Sequence, residues 1–139
     1  MKVLGCVAVA LLVGLLSATA HRVHLWTDGE RFLWAEAVQK SPLKPRPWVN
    51  LGNQYASAGL ENLAEDMYQQ ASVLAQDPRR LREEKAYGFA LAQANIAILE
   101  AKRGDMRGAV VRLRRVTSRY PVTSVQRLQR WYERQLATP

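Results

Sequence analysis

The chain has 139 residues, of which 48% are hydrophobic and 23% charged, and it carries a single cysteine. This length fits one small globular domain, so two full domains or a large multi-domain enzyme are excluded. The formal net charge of +8 is unevenly distributed: residues 1–100 hold ten basic and ten acidic side chains, whereas residues 101–139 hold ten basic and two acidic ones. A C-terminal part this basic is typical of a protein that meets an anionic partner, or of a solubilising end cap.

Residues 1–20 have the composition of a targeting segment. An apolar run extends from Val3 to Leu16, and the small residues Ala18 and Ala20 fit a signal-peptidase cleavage pattern. Residues 3–20 are also just long enough to span a bilayer, so the segment is either a cleaved signal peptide or a retained transmembrane anchor. Both alternatives predict that the rest of the chain is exported.

The sequence lacks the residue patterns of catalysis and of metal binding. Cys6 lies inside the leader, and His21 and His24, the only histidines, have no third ligand nearby, which favours surface positions. There is no glycine-rich phosphate loop, no H-E-x-x-H motif and no G-x-S-x-G motif. We therefore predict a protein that is not an enzyme and that needs no cofactor and no metal.

Apolar residues downstream of the leader are spaced with helical periodicity, which predicts an all-α fold. A capping-box pattern from Thr27 to Glu30 opens a helix that reaches Lys40. Asp77-Pro78 is predicted to cap and begin a helix of about 25 residues that reaches Arg103. A last helix is expected around residues 124–136, and helix breaks are expected near Pro42, Gly59, Pro78, Gly104 and Pro121.

The chain contains an internal repeat. Trp34 and Ala37 recur as Tyr68 and Ala71, at an offset of 34. Six positions recur at an offset of 45, eleven residues more: Asn50, Gly52, Gly59, Ala64, Tyr68 and Ala71 correspond to Asn95, Ala97, Gly104, Ala109, Leu113 and Val116. Eleven residues are about three helical turns, so this insertion lengthens a helix and keeps its buried face in phase. The small residues of the repeat are predicted to allow paired helices to approach closely.

The segment Pro45–Tyr55, followed by Gly59, Ala64, Tyr68 and Ala71, resembles the tetratricopeptide repeat. The resemblance implies a right-handed solenoid of helical hairpins with capping helices. It divides the chain into a juxtamembrane segment with a half-repeat helix, a first repeat, a second repeat with a lengthened first helix, and a basic capping helix: residues 21–44, 45–78, 79–121 and 122–139. Stretches similar to residues 34–52 also follow the membrane spans of bacterial envelope proteins that carry such repeats. This similarity implies a periplasmic protein, or one anchored in the inner membrane and facing the periplasm.

The resemblance implies a non-catalytic scaffold that binds a peptide or helix of another protein on its concave face. The first helix of each hairpin lines that face, and its candidate residues are Val49, Asn50, Asn53, Asn95, Ile98 and Lys102. An asparagine amide offers both a donor and an acceptor to an extended main chain, and a lysine can hold a carboxylate. Asn50 and Asn95 occupy equivalent repeat positions, so they can instead form hydrogen bonds between hairpins.

Two rows of arginines suggest an alternative function, which is binding to an anionic surface. Arg112, Arg115 and Arg119 share one helix face, and Arg127, Arg130 and Arg134 repeat that spacing on the last helix. Guanidinium groups suit phosphate and carboxylate. An exported protein meets acidic lipid, polysaccharide or acidic protein before nucleic acid. On the last helix, Leu128, Tyr132 and Leu136 are predicted to pack inward and Trp131 to be partly exposed.

Overall fold

The structure is a computed structural model, and it describes residues 30–138. The predicted leader, both histidines and residues 27–29 of the predicted first helix lie outside this range. Residues 30–138 form six α-helices and no strand, which confirms the predicted all-α class, and none of these helices is long and apolar enough to cross a membrane. The helices are α1 (Glu30–Lys40), α2 (Pro45–Ser57), α3 (Glu61–Ala75), α4 (Arg82–Lys102), α5 (Met106–Arg119) and α6 (Thr123–Ala137).

Two glycines end helices where the sequence predicted breaks. Gly59 follows α2 with φ of +76°, and Gly104 follows α4 with φ of +94°. This left-handed conformation is strained for residues with a Cβ atom, so glycine suits both positions. The next helix, α5, is capped by Asp105, whose carboxylate accepts a hydrogen bond from the backbone N–H of Gly108 at 2.8 Å. The turn between α4 and α5 is therefore short and locally satisfied.

The predicted start of α4 at Pro78 is wrong, because the helix begins four residues later, at Arg82. Asp77 does not cap a helix. Its carboxylate accepts hydrogen bonds from the backbone N–H of Arg79 at 2.9 Å and from the Arg79 guanidinium at 3.0 Å, and this contact lowers the pKa of Asp77 to about 2. Arg80 donates to the carbonyl oxygens of Leu74, at 2.9 Å, and Leu43. The connection is a hydrogen-bonded loop that also holds the loop before α2.

Helix α4 lies at the centre of the packing. Each helix contacts its neighbour in the chain, and α4 also contacts α2 and α6. One buried cluster joins α2, α3 and α4: Val49, Ala64, Tyr68, Ala71, Ala92, Ile96 and Leu99. A second joins α4, α5 and α6: Ala90, Ala94, Ala97, Ala109, Val110, Leu113, Val116, Val125 and Tyr132. Helix α4 thus contributes side chains to both clusters.

The predicted close approach of α2 and α3 is confirmed at Gly52. A Cβ atom at this position would lie 2.5 Å from Cε1 of the buried Tyr68 ring, so only glycine leaves room for the ring. On α6, Tyr132 is buried and Trp131 is 46% exposed, as predicted. The prediction for Leu136 is wrong, because this side chain is 42% exposed. It lies in the final turn of α6, where cover by the other helices ends.

Candidate peptide-binding surface and arginine clusters

A pair of asparagine side chains connects α2 to α4. The Oδ1 atom of Asn53 accepts hydrogen bonds from Nδ2 of Asn95 and from the hydroxyl of Tyr68, each at 2.9 Å. Asn95 therefore makes the bond between hairpins that the sequence left open, and its partner is Asn53. Two donors fix the orientation of the Asn53 amide, since its oxygen must point toward them. The Asn53 N–H groups and the Asn95 carbonyl then have no partner among residues 30–138.

The amide pair also depends on the buried Tyr68 side chain, which is bonded to Asn53. The Tyr68 hydroxyl donates to Asn53, and burial of the ring raises the pKa of Tyr68 to about 12. The same ring fills the space beside Gly52, one residue before Asn53. The position of the amide pair thus depends on the packing of α2 against α3.

The structure changes the role of two other residues predicted for this surface. Val49 is only 6% exposed and belongs to the buried cluster that α2 forms with α3 and α4. Ile98 is half-buried against the second cluster. Asn50 is half-buried, whereas Lys102 is exposed and has no ion pair among the described residues. Asn53 and Asn95, here called the amide pair, remain available to a ligand together with Lys102. Asn50 lies three residues before Asn53 on α2.

A second face of α4 carries side chains that line a cleft and that were not predicted as site residues. Phe89, Gln93 and Glu100 are spaced i, i+4 and i+11, which places them on one helix face. Asn95 and Lys102 share a different face of the same helix. The spacing was visible in the sequence, but the partners of Gln93 and Glu100 come from other helices and could not be read from it.

Arg112, the first member of the first predicted row, forms hydrogen bonds with two residues on that face of α4. Its Nε and Nη2 atoms donate to the Glu100 carboxylate at 2.9 and 2.5 Å, and its Nη1 atom donates to Oε1 of Gln93 at 2.7 Å. Gln93 in turn donates to the hydroxyl of buried Ser72 at 2.9 Å. The hydrogen bond with Glu100 raises the pKa of the Arg112 guanidinium. Arg112 is therefore part of a network across α3, α4 and α5, and its charge is neutralised there.

Arg115 and Arg119, the other two members of this row, are exposed and have no carboxylate partner among the described residues. They lie along a cleft of 310 Å³ between α4 and α5 whose other walls include Phe89, Val111 and Val116. Next to this cleft, the Arg119 guanidinium lies 5.3 Å from the centre of the Tyr120 ring, and that ring packs against Phe89 with centroids 5.5 Å apart. The cleft thus combines apolar walls with two unneutralised cations.

The second predicted row lies on a different surface from the first. Arg127, Arg130 and Arg134 line a wide depression on α6 itself, around Trp131, and none of them has a carboxylate partner in the described part of the chain. A separate ion pair connects α5 to α6: Nε of Arg114 donates to Oε1 of Glu133 at 2.6 Å. Hydrogen bonds from Gln129 and Arg114 lower the pKa of Glu133. The two predicted rows therefore belong to two separate surfaces, which share no lining residue.

Comparison of the chain with family models, with curated proteins and with solved structures gives no match. Within residues 30–138, no group of three His, Cys, Asp or Glu side chains is placed to hold a metal ion. The chemistry of three surfaces is therefore the basis for a functional proposal. They are the amide pair with Lys102, the cleft between α4 and α5, and the arginine face of α6.

Proposed function

We propose that this chain is a non-catalytic protein-binding module of the tetratricopeptide-like solenoid type. Three short connections, at residues 58–60, 103–105 and 120–122, support helical hairpins, and the contacts of α4 with both α2 and α6 support their stacking. In such a stack the first helices of the hairpins, α2 and α4, line the inner surface. The composition of residues 1–20 supports an exported or membrane-anchored setting, and the resemblance of residues 34–52 to segments of bacterial envelope proteins supports a bacterial envelope.

The proposal rests on the fixed orientation of the amide pair. The Asn53 oxygen is occupied by Tyr68 and Asn95, so this residue presents its N–H donors and Asn95 presents its carbonyl acceptor. A donor and an acceptor side by side match the N–H and C=O groups of an extended peptide main chain. Because the pair is held before a ligand arrives, little side-chain entropy is lost on binding.

Lys102 extends this surface along α4. It lies seven residues after Asn95, which is about 10 Å along the helix axis and equals about three residues of extended peptide. A peptide whose main chain binds the amide pair can therefore place a carboxylate at Lys102. The proposed ligand is an extended segment of another protein with an acidic side chain or chain terminus about three residues from the main-chain contact.

The experiment is selection of a displayed random-peptide library on the protein, followed by affinity measurements on variants. Asn53→Asp keeps an oxygen for Tyr68 and Asn95 but removes the donors, and Lys102→Ala removes the exposed cation. We expect each variant to weaken the selected peptides by about tenfold, the effect of losing one charge-assisted or well-formed hydrogen bond.

The matched control is Gln70→Ala, because Gln70 is an exposed side chain of α3 that is remote in sequence from both groups. It is expected to leave the affinities unchanged. Selected peptides that bind Asn53→Asp and Lys102→Ala as tightly as the unmodified protein would contradict the proposal. Circular dichroism of each variant verifies that the fold is retained.

The arginine face of α6 supports a second candidate function, which is binding to acidic lipid. Trp131 is half-exposed among Arg127, Arg130 and Arg134, and none of these arginines is neutralised within the described residues. A tryptophan flanked by cations suits the interface of an anionic bilayer, where the ring is partly buried and the cations meet phosphate. An acidic polysaccharide offers the same charges but no apolar layer for the ring.

Co-sedimentation with phosphatidylglycerol vesicles tests this candidate. The triple variant Arg127→Ala, Arg130→Ala and Arg134→Ala is expected to lose binding, and Trp131→Ala to weaken it. The charge-matched control replaces the exposed residues Lys44, Arg46 and Arg107 with alanine and is expected to retain most binding. Equal losses in the two triple variants would indicate attraction by net charge alone, and unchanged vesicle binding by Trp131→Ala would contradict burial of the ring in the bilayer interface.

A further inference from the structure

The cleft between α4 and α5 is distinct from the amide-pair surface. Its α4 wall is formed by Phe89, Gln93 and Glu100, which lie on a different helix face from Asn95 and Lys102. The α5 wall carries Val111 and the cations Arg115 and Arg119. One ligand can therefore occupy the amide pair while another occupies this cleft.

The charge of the cleft favours a ligand with at least two negative groups. Glu100 neutralises Arg112 through a two-pronged hydrogen bond, which leaves Arg115 and Arg119 without carboxylates among the described residues. The two lie four residues apart on α5, so their Cβ atoms are about 6 Å apart. Alternate side chains of an extended peptide are about 7 Å apart, a spacing at which two carboxylates can face the two guanidinium groups.

The shape of the cleft favours a protein segment over a membrane surface. Its volume of 310 Å³ is at the lower end of ligand pockets and accommodates one or two large side chains. Val111 is 56% exposed at the rim, and Phe89 and Val116 supply further apolar walls. A flat layer of lipid head groups would meet the arginines and leave these apolar walls uncovered.

We infer that this cleft is a second protein-binding site, which takes a short acidic segment of a partner with a large apolar side chain beside its carboxylates. The apolar side chain enters between Phe89 and Val111, and the carboxylates meet Arg115 and Arg119. Arg112 is a positioning residue, because its network with Glu100 and Gln93 holds α5 against α4. The chain then bridges two partner segments, one on each face of α4.

The experiment measures fluorescence anisotropy of a labelled short peptide with a Leu-Phe pair flanked by glutamates, using the full chain. Two matched peptides separate the contributions: one replaces every glutamate with glutamine, and the other replaces Leu-Phe with Ser-Ser. We expect the acidic apolar peptide to bind about tenfold more tightly than either control peptide, with affinity falling as salt rises from about 0.05 to 0.3 M. Equal binding of the glutamine peptide overturns the inference.

Variants locate the site. Arg115→Ala with Arg119→Ala, and separately Val111→Asp, are expected to weaken the acidic apolar peptide by about tenfold. Arg46→Ala with Arg107→Ala removes the same charge from exposed positions and is expected to leave binding nearly unchanged. Equal losses in the two double variants overturn the inference. Phosphatidylglycerol vesicles are tested on the variant with Arg127→Ala, Arg130→Ala and Arg134→Ala, and displacement of the peptide from that variant also overturns it. Asn53→Asp should bind this peptide normally, so failure here and failure of the amide-pair surface are distinguishable.

Discussion

Replacing Gly52 with alanine tests the packing on which the amide pair depends. The added Cβ atom would lie 2.5, 2.7 and 3.1 Å from three carbons of the Tyr68 ring, far inside normal contact distance. The ring is buried, and its hydroxyl is bonded to Asn53, so it cannot move without disturbing its neighbours. Either the ring or α2 must shift.

The expected change in the free energy of unfolding has three contributions. Overpacking a buried site costs about 1–3 kcal/mol, and losing the bond between Tyr68 and Asn53 costs about 1 kcal/mol more. In the opposite direction, alanine stabilises a helix by about 1 kcal/mol relative to glycine. The expected net destabilisation is about 2 kcal/mol, which corresponds to a fall in Tm of about 8 °C for a domain of this size.

Urea unfolding followed by circular dichroism measures this change in the free energy of unfolding. Gly88→Ala is the matched control in α4: its Cβ atom would lie 3.3 Å from Cβ of Pro45 and 3.4 Å from Cβ of Ala75, which is tight but tolerable. We expect this control to stay within about 1 kcal/mol of the unmodified protein, since the helical gain offsets the crowding. A Gly52→Ala protein as stable as the original would refute the packing described here.

Two further predictions concern a helix cap and a buried hydroxyl. Asp105→Ala removes the acceptor for the Gly108 backbone N–H and should lower the free energy of unfolding by about 1 kcal/mol in the same urea assay; an unchanged midpoint would contradict the cap. The pKa of Tyr68 is raised from 10.0 to about 12, so its neutral form favours the folded state. Its contribution should be fully present below pH 10 and lost as the pH rises toward 12. Tyr68→Phe should remove this component of the pH dependence, measured as the difference between the two proteins, and identical alkaline profiles would refute it.

The helix breaks and the small-residue contact were predictable because they are local or periodic. Gly59 and Gly104 have left-handed φ angles that glycine adopts readily. The repeat predicted a close helix approach at Gly52, and the structure shows that the Tyr68 ring is the group that needs the space. The start of α4 was not predictable from Asp77-Pro78, because Asp77 bonds to Arg79 within the turn instead of capping a helix. Short polar side chains compete with helix caps in this way.

The sites were predicted less well than the fold, because each depends on a third helix. Val49 was predicted to line the concave face, but it lies in the buried cluster that α2 and α3 form together with α4. Arg112 shares its spacing with Arg115, yet its neutralising partner Glu100 lies twelve residues earlier, on α4. The spacing of apolar residues along a helix predicts which side packs against one partner helix. Most of the described helices contact two or more others, so further sides are buried as well.

The double use of α4 has a consequence for synthesis on the ribosome. The first cluster needs Ala92, Ile96 and Leu99, so α2 and α3 emerge with part of their apolar surface uncovered. That surface stays exposed until α4 has left the exit tunnel, when the chain has been made beyond Lys102. The first cluster therefore cannot form completely before its third helix is available, and until then the apolar surfaces of α2 and α3 are open to non-native contacts.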